Sequence, residues 1–103
     1  MVPDDLLEDV AYLFSLLSDP TRLRLVRELH QAGELPVGEL AGRAGTTLAN
    51  ASQHLVRLSH ARLVLRRRAG KNVLYSVGDP RLEQLCALMC AGVRERAAGA
   101  VAS

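Results

Sequence analysis

The stretch Thr46-Thr47-Leu48-Ala49-Asn50-Ala51-Ser52-Gln53-His54-Leu55-Val56-Arg57-Leu58 decides how the rest of the chain is read. Either threonine hydroxyl can cap the first free N–H groups of a helix. Ala51, Leu55 and Leu58 recur at i, i+4 and i+7, a stripe that faces a core. Thr47, Ser52, Gln53 and Arg57 fall off that stripe. They are short or planar hydrogen-bonding groups with one cation and no acid, whereas a merely solvated helix face mixes Glu with Lys. Such a set suits base edges in a major groove: Gln can read adenine, Ser is permissive, and Arg takes guanine or a phosphate. The stretch reads as a recognition helix.

Charge is distributed in blocks around it. Between Leu40 and Gly78 lie seven basic residues (Arg43, Arg57, Arg62, Arg66, Arg67, Arg68 and Lys71) and no acid, while the flanks hold six basic and eleven acidic residues. An acid-free cationic block on regular structure is a footprint for a polyanion. A solvated basic face without a partner is the plainer reading of a short run, but this block coincides with the candidate reading helix.

On the N-terminal side, Asp4 to Leu17 reads as a first helix, with Leu6, Leu7, Val10, Leu13, Phe14 and Leu17 at helical spacing and acids in the first turn. Asp19 then caps a second helix with Pro20 at N1. That helix runs to about His30, with Leu23, Val26 (or Leu25) and Leu29 inward and Arg22, Arg24 and Arg27 outward, and Gly33 ends it. Pro36 opens a short helix through Arg43, and Ala44-Gly45 turns into the recognition stretch, the helix-turn-helix arrangement.

On the C-terminal side, Leu63–Arg68 and Asn72–Val77 are β-rich runs joined by Ala69-Gly70-Lys71, a hairpin turn with Gly where positive φ is needed. Its tip carries Arg67, Arg68, Lys71 and Asn72, a wing able to lie over phosphates or enter the minor groove. Gly78-Asp79-Pro80 repeats the cap-then-proline device and starts a last helix to about Ala97. Its apolar face, Leu82, Leu85, Cys86, Met89, Cys90 and Val93, exceeds what a small monomer covers. The residues after Ala97 are expected to fray.

The expected fold is mainly α with a small β-hairpin: a winged helix-turn-helix of order α-α-α-α-β-β-α in one domain spanning residues 1–103. It is expected to form a homodimer whose interface uses Leu6, Val10 and Leu13 of the first helix and Leu82, Leu85, Cys86, Met89 and Val93 of the last. Nineteen leucines against three aromatics indicate a leucine-packed interior. No run reaches the roughly 18 apolar residues of a membrane span, and the acidic N-terminus is unlike a secretory leader. A cytoplasmic location with reduced thiols is therefore expected, so Cys86 and Cys90 are not read as a disulfide. Nothing resembles a Ser/His/Asp or Cys/His constellation, paired acids beside a histidine, or a phosphate-cradling glycine loop, so an enzyme is not indicated.

Three motifs, in order, resemble the ArsR/SmtB family of winged-helix transcriptional regulators: Leu17-Ser18-Asp19-Pro20-Thr21-Arg22-Leu23-Arg24-Leu25, Ser52-Gln53-His54-Leu55-x-x-Leu58 and Gly70-Lys71-x-Val73-x-Tyr75. The resemblance implies a homodimer on an operator near its own promoter, released by an inducer that is often a metal ion. It places Thr47, Leu48, Ser52, Gln53 and Arg57 where family members meet bases and nearby phosphates, and His54 in the core. The expected DNA-contacting set is thus Thr46, Thr47, Leu48, Asn50, Ser52, Gln53 and Arg57 from the helix, and Arg67, Arg68, Lys71 and Asn72 from the wing.

The chain departs from the family at the sensing positions. Where the soft-metal sensors carry Cys-x-Cys, it has Pro36-Val37-Gly38. At the site on the last helix that takes zinc, nickel or cobalt, Asp79 and Glu95 survive while Arg81 and Gly92 replace the histidines. Six residues remain as sensing candidates: Cys86 and Cys90, which share a helix face at i, i+4, with Asp79, Glu95, His30 and His60. The cysteines, Asp79 and the histidines have plainer roles, as interface hydrophobes, a helix cap, and dipole partners or solvated side chains. The competing reading is a winged helix that docks a protein co-regulator, which supplies the sensing this chain lacks.

Overall fold

The computed structural model describes the backbone of residues 1–102 and the side chains of residues 1–99. Ser103, the last residue of the tail expected to fray, lies outside the described residues.

A 3-10 turn, Asp4–Leu6, leads into α1 (Leu7–Leu17), followed by α2 (Pro20–Ala32), β1 (Glu34–Pro36), α3 (Val37–Ala44), α4 (Leu48–His60), β2 (Val64–Ala69), β3 (Asn72–Val77) and α5 (Arg81–Ala102). The caps are chemical. Asp19 accepts from the Arg22 backbone N–H at 3.0 Å with Pro20 in the first helical position, and Thr47 accepts from the Asn50 N–H at 3.1 Å. Both satisfy donors that a helix start leaves free.

The turn between α3 and α4 closes by two backbone bonds, Thr46 N–H to Ala41 carbonyl (3.0 Å) and Gly45 N–H to Gly42 carbonyl (3.2 Å). Gly45 sits at φ 70°, the left-handed position such a cap requires. The end of α4 repeats the motif with an arginine. Arg62 (φ 61°) takes the left-handed place, its N–H donates to Ser59 and that of Leu63 to Leu58, each at 3.0 Å. Leu63 buries against the core at this point, and packing replaces glycine's freedom.

The core gathers Leu16 of α1, Leu25, Val26 and Leu29 of α2, Leu40, Ala41 and Ala44 of α3, Ala51, Leu55 and Leu58 of α4, and Leu35, Val64 and Tyr75 of the sheet. The stripe read from the sequence is fully buried, Ala51, Leu55 and Leu58 all being 0 % exposed. Burying each leucine contributes about 1.5–3 kcal/mol and the alanine methyl less, which holds the opposite face of α4 outward.

Several expectations are corrected. In α2, Leu25 and Val26 turn inward and Leu23 stays exposed. In α1 the buried residue is Leu16, which the helical spacing read from the sequence did not include. Leu82, counted on the outer face of the last helix, is only 4 % exposed and belongs to the core. His54, expected in the core, is half-buried. The hairpin loop is Gly70-Lys71 alone, with Ala69 paired to Asn72 and Gly70 at φ 62°. α5 continues to Ala102 rather than ending near Ala97. The hairpin also gains a third strand. β1 pairs antiparallel with β3 (Glu34 with Ser76, Leu35 with Tyr75, Pro36 with Leu74), giving the order β1-β3-β2. Three residues ending in proline carry no period-2 signal, and only the waiting edge of β3 makes them a strand.

Candidate nucleic-acid interface

With its apolar stripe buried, α4 presents Thr47, Leu48, Gln53, Val56 and Arg57 to solvent and Asn50 and Ser52 at half-burial. Ser52, Gln53, Val56 and Arg57 line a shallow depression of about 380 Å³. These are the i, i+1, i+4 and i+5 positions of one helix face, which sets two neutral hydrogen-bonding groups and a cation around one valine. Val56 was missed in the sequence because an apolar residue beside a buried leucine reads as core; it is 44 % exposed between Gln53 and Arg57.

Thr46 and Asn50 have local work. The Asn50 amide donates to the Thr46 hydroxyl at 2.7 Å while its backbone N–H is capped by Thr47. Together they brace the first turn of α4.

The wing is split by strand geometry. Side chains alternate faces along a strand, so Arg66 and Arg68 share the face of Val64, and Arg67 occupies the other. Arg66 lies opposite buried Tyr75 and Arg68 opposite Val73. Arg67 reaches across β3 to Glu34, its Nε and one Nη donating at 3.1 and 2.6 Å. The guanidinium holds the Glu34 carboxyl below its ordinary range, chiefly through those hydrogen bonds, and the Arg67 pKa rises in turn. Among the sequence-selected wing residues, Arg68, Lys71 and Asn72 are exposed without such a partner among the described residues, and Arg67 fastens the wing to β1. The other cation of the basic block with an acid partner is Arg43, bonded to Glu39 at 3.0 Å.

The sensing candidates do not converge. Both oxygens of Asp79 are taken by Arg81, through its backbone N–H and guanidinium at 3.0 Å each, and those bonds hold the Asp79 carboxyl below its ordinary range. Glu95 lies on α5 about 20 Å further along at the helical rise. Nε2 of His30 lies 3.1 Å from a carboxylate oxygen of Glu83, and His60 is exposed at the end of α4. Cys86 and Cys90 line an apolar groove of about 700 Å³ between α1, α2 and α5, together with Phe14, Leu23 and Met89. Burial, then the neighbouring Cys90, pushes the Cys86 thiol up, away from the thiolate a metal needs. Among the described residues no group of three His, Cys, Asp or Glu is placed to hold a metal ion. Arg81 and Gly92, which stand where the resemblance places histidines, offer no nitrogen ligand to a site of that kind. No helix among the described residues is long and apolar enough to cross a membrane.

A three-helix unit whose last helix exposes a polar reading face, followed by a basic two-stranded wing, defines the winged helix-turn-helix class. A helix-turn-helix domain model matches residues 17–67. The chain is 37 % identical over 84 residues to the transcriptional regulator KmtR of Mycobacterium tuberculosis, covering 82 % of this chain and 64 % of KmtR. It is 36 % identical over 87 residues to the biofilm growth-associated repressor of Agrobacterium fabrum, covering 81 % of this chain and 74 % of that one. The solution structure of the homodimeric winged helix-turn-helix domain Mb0332 of Mycobacterium bovis, described as a possible ArsR-family regulator, superposes with a TM-score of 0.79. There the identity is 31 %, with 92 % of this chain and 90 % of that one covered. The chain belongs to the ArsR/SmtB family of winged-helix transcriptional regulators. It spans about 64 % of the length of curated relatives such as KmtR.

Proposed function

We propose that this chain is a sequence-specific DNA-binding transcriptional regulator of the repressor type, acting as a homodimer on an inverted-repeat duplex. One observation carries the reading. The exposed face of α4 is acid-free, setting Thr47, Gln53 and Arg57 beside Leu48 and Val56, and the cations around it that lack an acid partner among the described residues are Arg57, Arg62, Arg66, Arg68 and Lys71. In this arrangement α4 enters the major groove with Gln53 and Ser52 on base edges, and Leu48 and Val56 meet thymine methyls. Arg57 and the wing residues Arg66, Arg68, Lys71 and Asn72 hold the flanking backbone.

The dimer is supported by apolar surface that one protomer leaves uncovered. Leu6, Leu7, Leu13 and Phe14 of the N-terminal segment and Leu88, Met89 and Val93 of α5 are all exposed, and large apolar side chains left open to water on two helices favour an interface. A two-fold axis through these faces sets two α4 helices side by side, as an inverted repeat requires. Leu82 and the half-buried Val10 and Leu85 back this surface from within each protomer.

The test is binding to duplexes selected by the protein from a randomised pool. Gln53→Ala is expected to cost about 1–3 kcal/mol on the selected duplex and almost nothing on a scrambled one. Equal loss on both duplexes, or no selection from the pool at all, refutes the assignment of α4 as the reading helix.

A further inference from the structure

Arg22 reads in the sequence as an outward-facing residue of a basic helix flank, like Arg24 and Arg27. It is instead half-buried, and its guanidinium joins three helices. Its Nε donates to Nδ1 of His54 on α4 at 3.0 Å. One Nη donates to the carbonyls of Ser15 (3.3 Å) and Leu16 (3.1 Å) at the end of α1. Its own backbone N–H is held by the Asp19 cap of α2.

Each of these bonds has a physical reason. The last carbonyls of α1 sit at the negative end of its dipole, where a cation is favoured, and Arg22 joins the Ser18 N–H and hydroxyl that already donate to the Ser15 carbonyl. His54 accepts at Nδ1, so its ring is the neutral tautomer with the proton on Nε2. The guanidinium is planar and its donors diverge at fixed angles, so Nε and Nη cannot serve both partners unless α1 and α4 keep one relative placement. The backbone N–H of Arg22 donates to the Asp19 carboxyl and is the first cause of its lowered pKa. Asp19 thereby fixes the start of α2 from which Arg22 departs.

His54 directly follows Gln53 and lies one turn from Arg57 and Asn50. We propose that Arg22 is a positioning residue for DNA reading: through His54 it sets the rotation of α4 about its own axis, relative to α1. A residue step on a helix is about 100° of rotation, so a small slip of His54 swings Gln53 off a base edge while the buried stripe still packs. α1 also carries the exposed apolar residues Leu13 and Phe14, so whatever covers that face is mechanically connected to α4 by one side chain. By linkage, DNA that holds α4 in its reading position then favours the covered state of α1, and the reverse. The proposal rests on the DNA-binding reading above and adds to it the element that tunes it.

The experiment compares Arg22→Gln, Arg22→Lys, His54→Leu and His54→Asn with the wild type by fluorescence anisotropy. The probes are a duplex selected by the wild type from a randomised pool and a scrambled duplex, both at roughly 150 mM salt. Arg22→Gln and His54→Leu are expected to lose about 10-fold or more on the selected duplex and no more than about 2-fold on the scrambled one. His54→Asn should recover most of the loss, because its Oδ1 accepts near where Nδ1 did. Arg22→Lys should not, since one ammonium cannot serve both partners. Unchanged selected-duplex affinity in His54→Leu overturns the proposal. Equal loss on both duplexes with a lowered melting temperature does so too, since that is the mark of a merely structural role. The wild type alone supplies a second measurement that needs no variant. The nitrogen-15 spectrum of His54 should show an unprotonated Nδ1 and a protonated Nε2, and the opposite tautomer refutes the link to Arg22. If the wild type selects no duplex, the DNA reading fails while the tautomer result still decides the helix contact.

Discussion

Strand alternation divides the wing arginines sharply enough to be measured through salt dependence. Arg66 and Arg68 share one face of β2, and Arg67 lies on the other, bonded to Glu34. If a dimer engages about 6–10 phosphates, the slope of log K against log salt is about −5 to −9. Removing Arg68 deletes one contact per protomer and so two per dimer, which should make the slope shallower by about 1.8. Between roughly 50 and 200 mM salt, the affinity ratio of wild type to Arg68→Gln should therefore shrink about 12-fold. Arg66→Gln should behave in the same way. Arg67→Gln should leave the slope within about 0.3 of the wild type, because that guanidinium is already neutralised by a carboxylate and displaces no counterion. Its effect should be a modest salt-independent loss as the wing loosens from β1. The assay is anisotropy titration of a labelled duplex at four or more salt concentrations. A slope change in Arg67→Gln as large as in Arg68→Gln would refute the division of labour within the wing.

Two further outcomes follow from local geometry. A methyl added at Gly78 would lie 2.7 Å from the Arg62 carbonyl oxygen and 3.1 Å from Leu65 Cγ, at the close crossing where β3 leaves the end of α4. Gly78→Ala should destabilise the fold by about 1–3 kcal/mol in urea denaturation, and a neutral result would mean that this crossing is looser than described. The carboxyls of Asp19, Glu34 and Asp79 are each held below their ordinary values, by the Arg22 N–H, by Arg67 and by Arg81 respectively. The stability they lend is complete above the unfolded-state values and is lost as pH falls through the lower folded-state values, so melting temperature should drop below about pH 4. Asp19→Asn, which still caps the helix, should flatten that acid loss, and an unaltered acid profile would discount the cap's share.

Local chemistry was legible wherever a signal lies within a few residues. Asp19-Pro20 and Thr47 mark helix starts because capping needs only a side-chain oxygen and the next turn's N–H groups. Ala51, Leu55 and Leu58 declare the buried side of α4 because a helix's period is fixed by its own hydrogen bonds. Strand β1 was not legible, since Glu34-Leu35-Pro36 pairs only with residues some forty positions away. Leu23 was placed inward and is exposed, and Leu25, left as an alternative to Val26, is buried together with it, because the helix's packing against its neighbours sets where the buried arc is centred.

From sequence alone came the order of the helices and the hairpin, the acid-free basic middle and the polar kit of α4, together with the absence of thiolates and histidines at the places where the family's metal sensors carry them. The last of these follows from the family resemblance, and the others are properties of spacing and composition, which no folding is needed to evaluate. Which cations are free belongs to tertiary structure. Arg67 is claimed by Glu34 from 33 residues away, and Arg22 is claimed by His54 from 32 residues away. An arginine in a one-dimensional string is a charge with five donors. Only when distant helices and strands are brought together does it become clear whether those donors are left for a phosphate or are already spent on the protein itself.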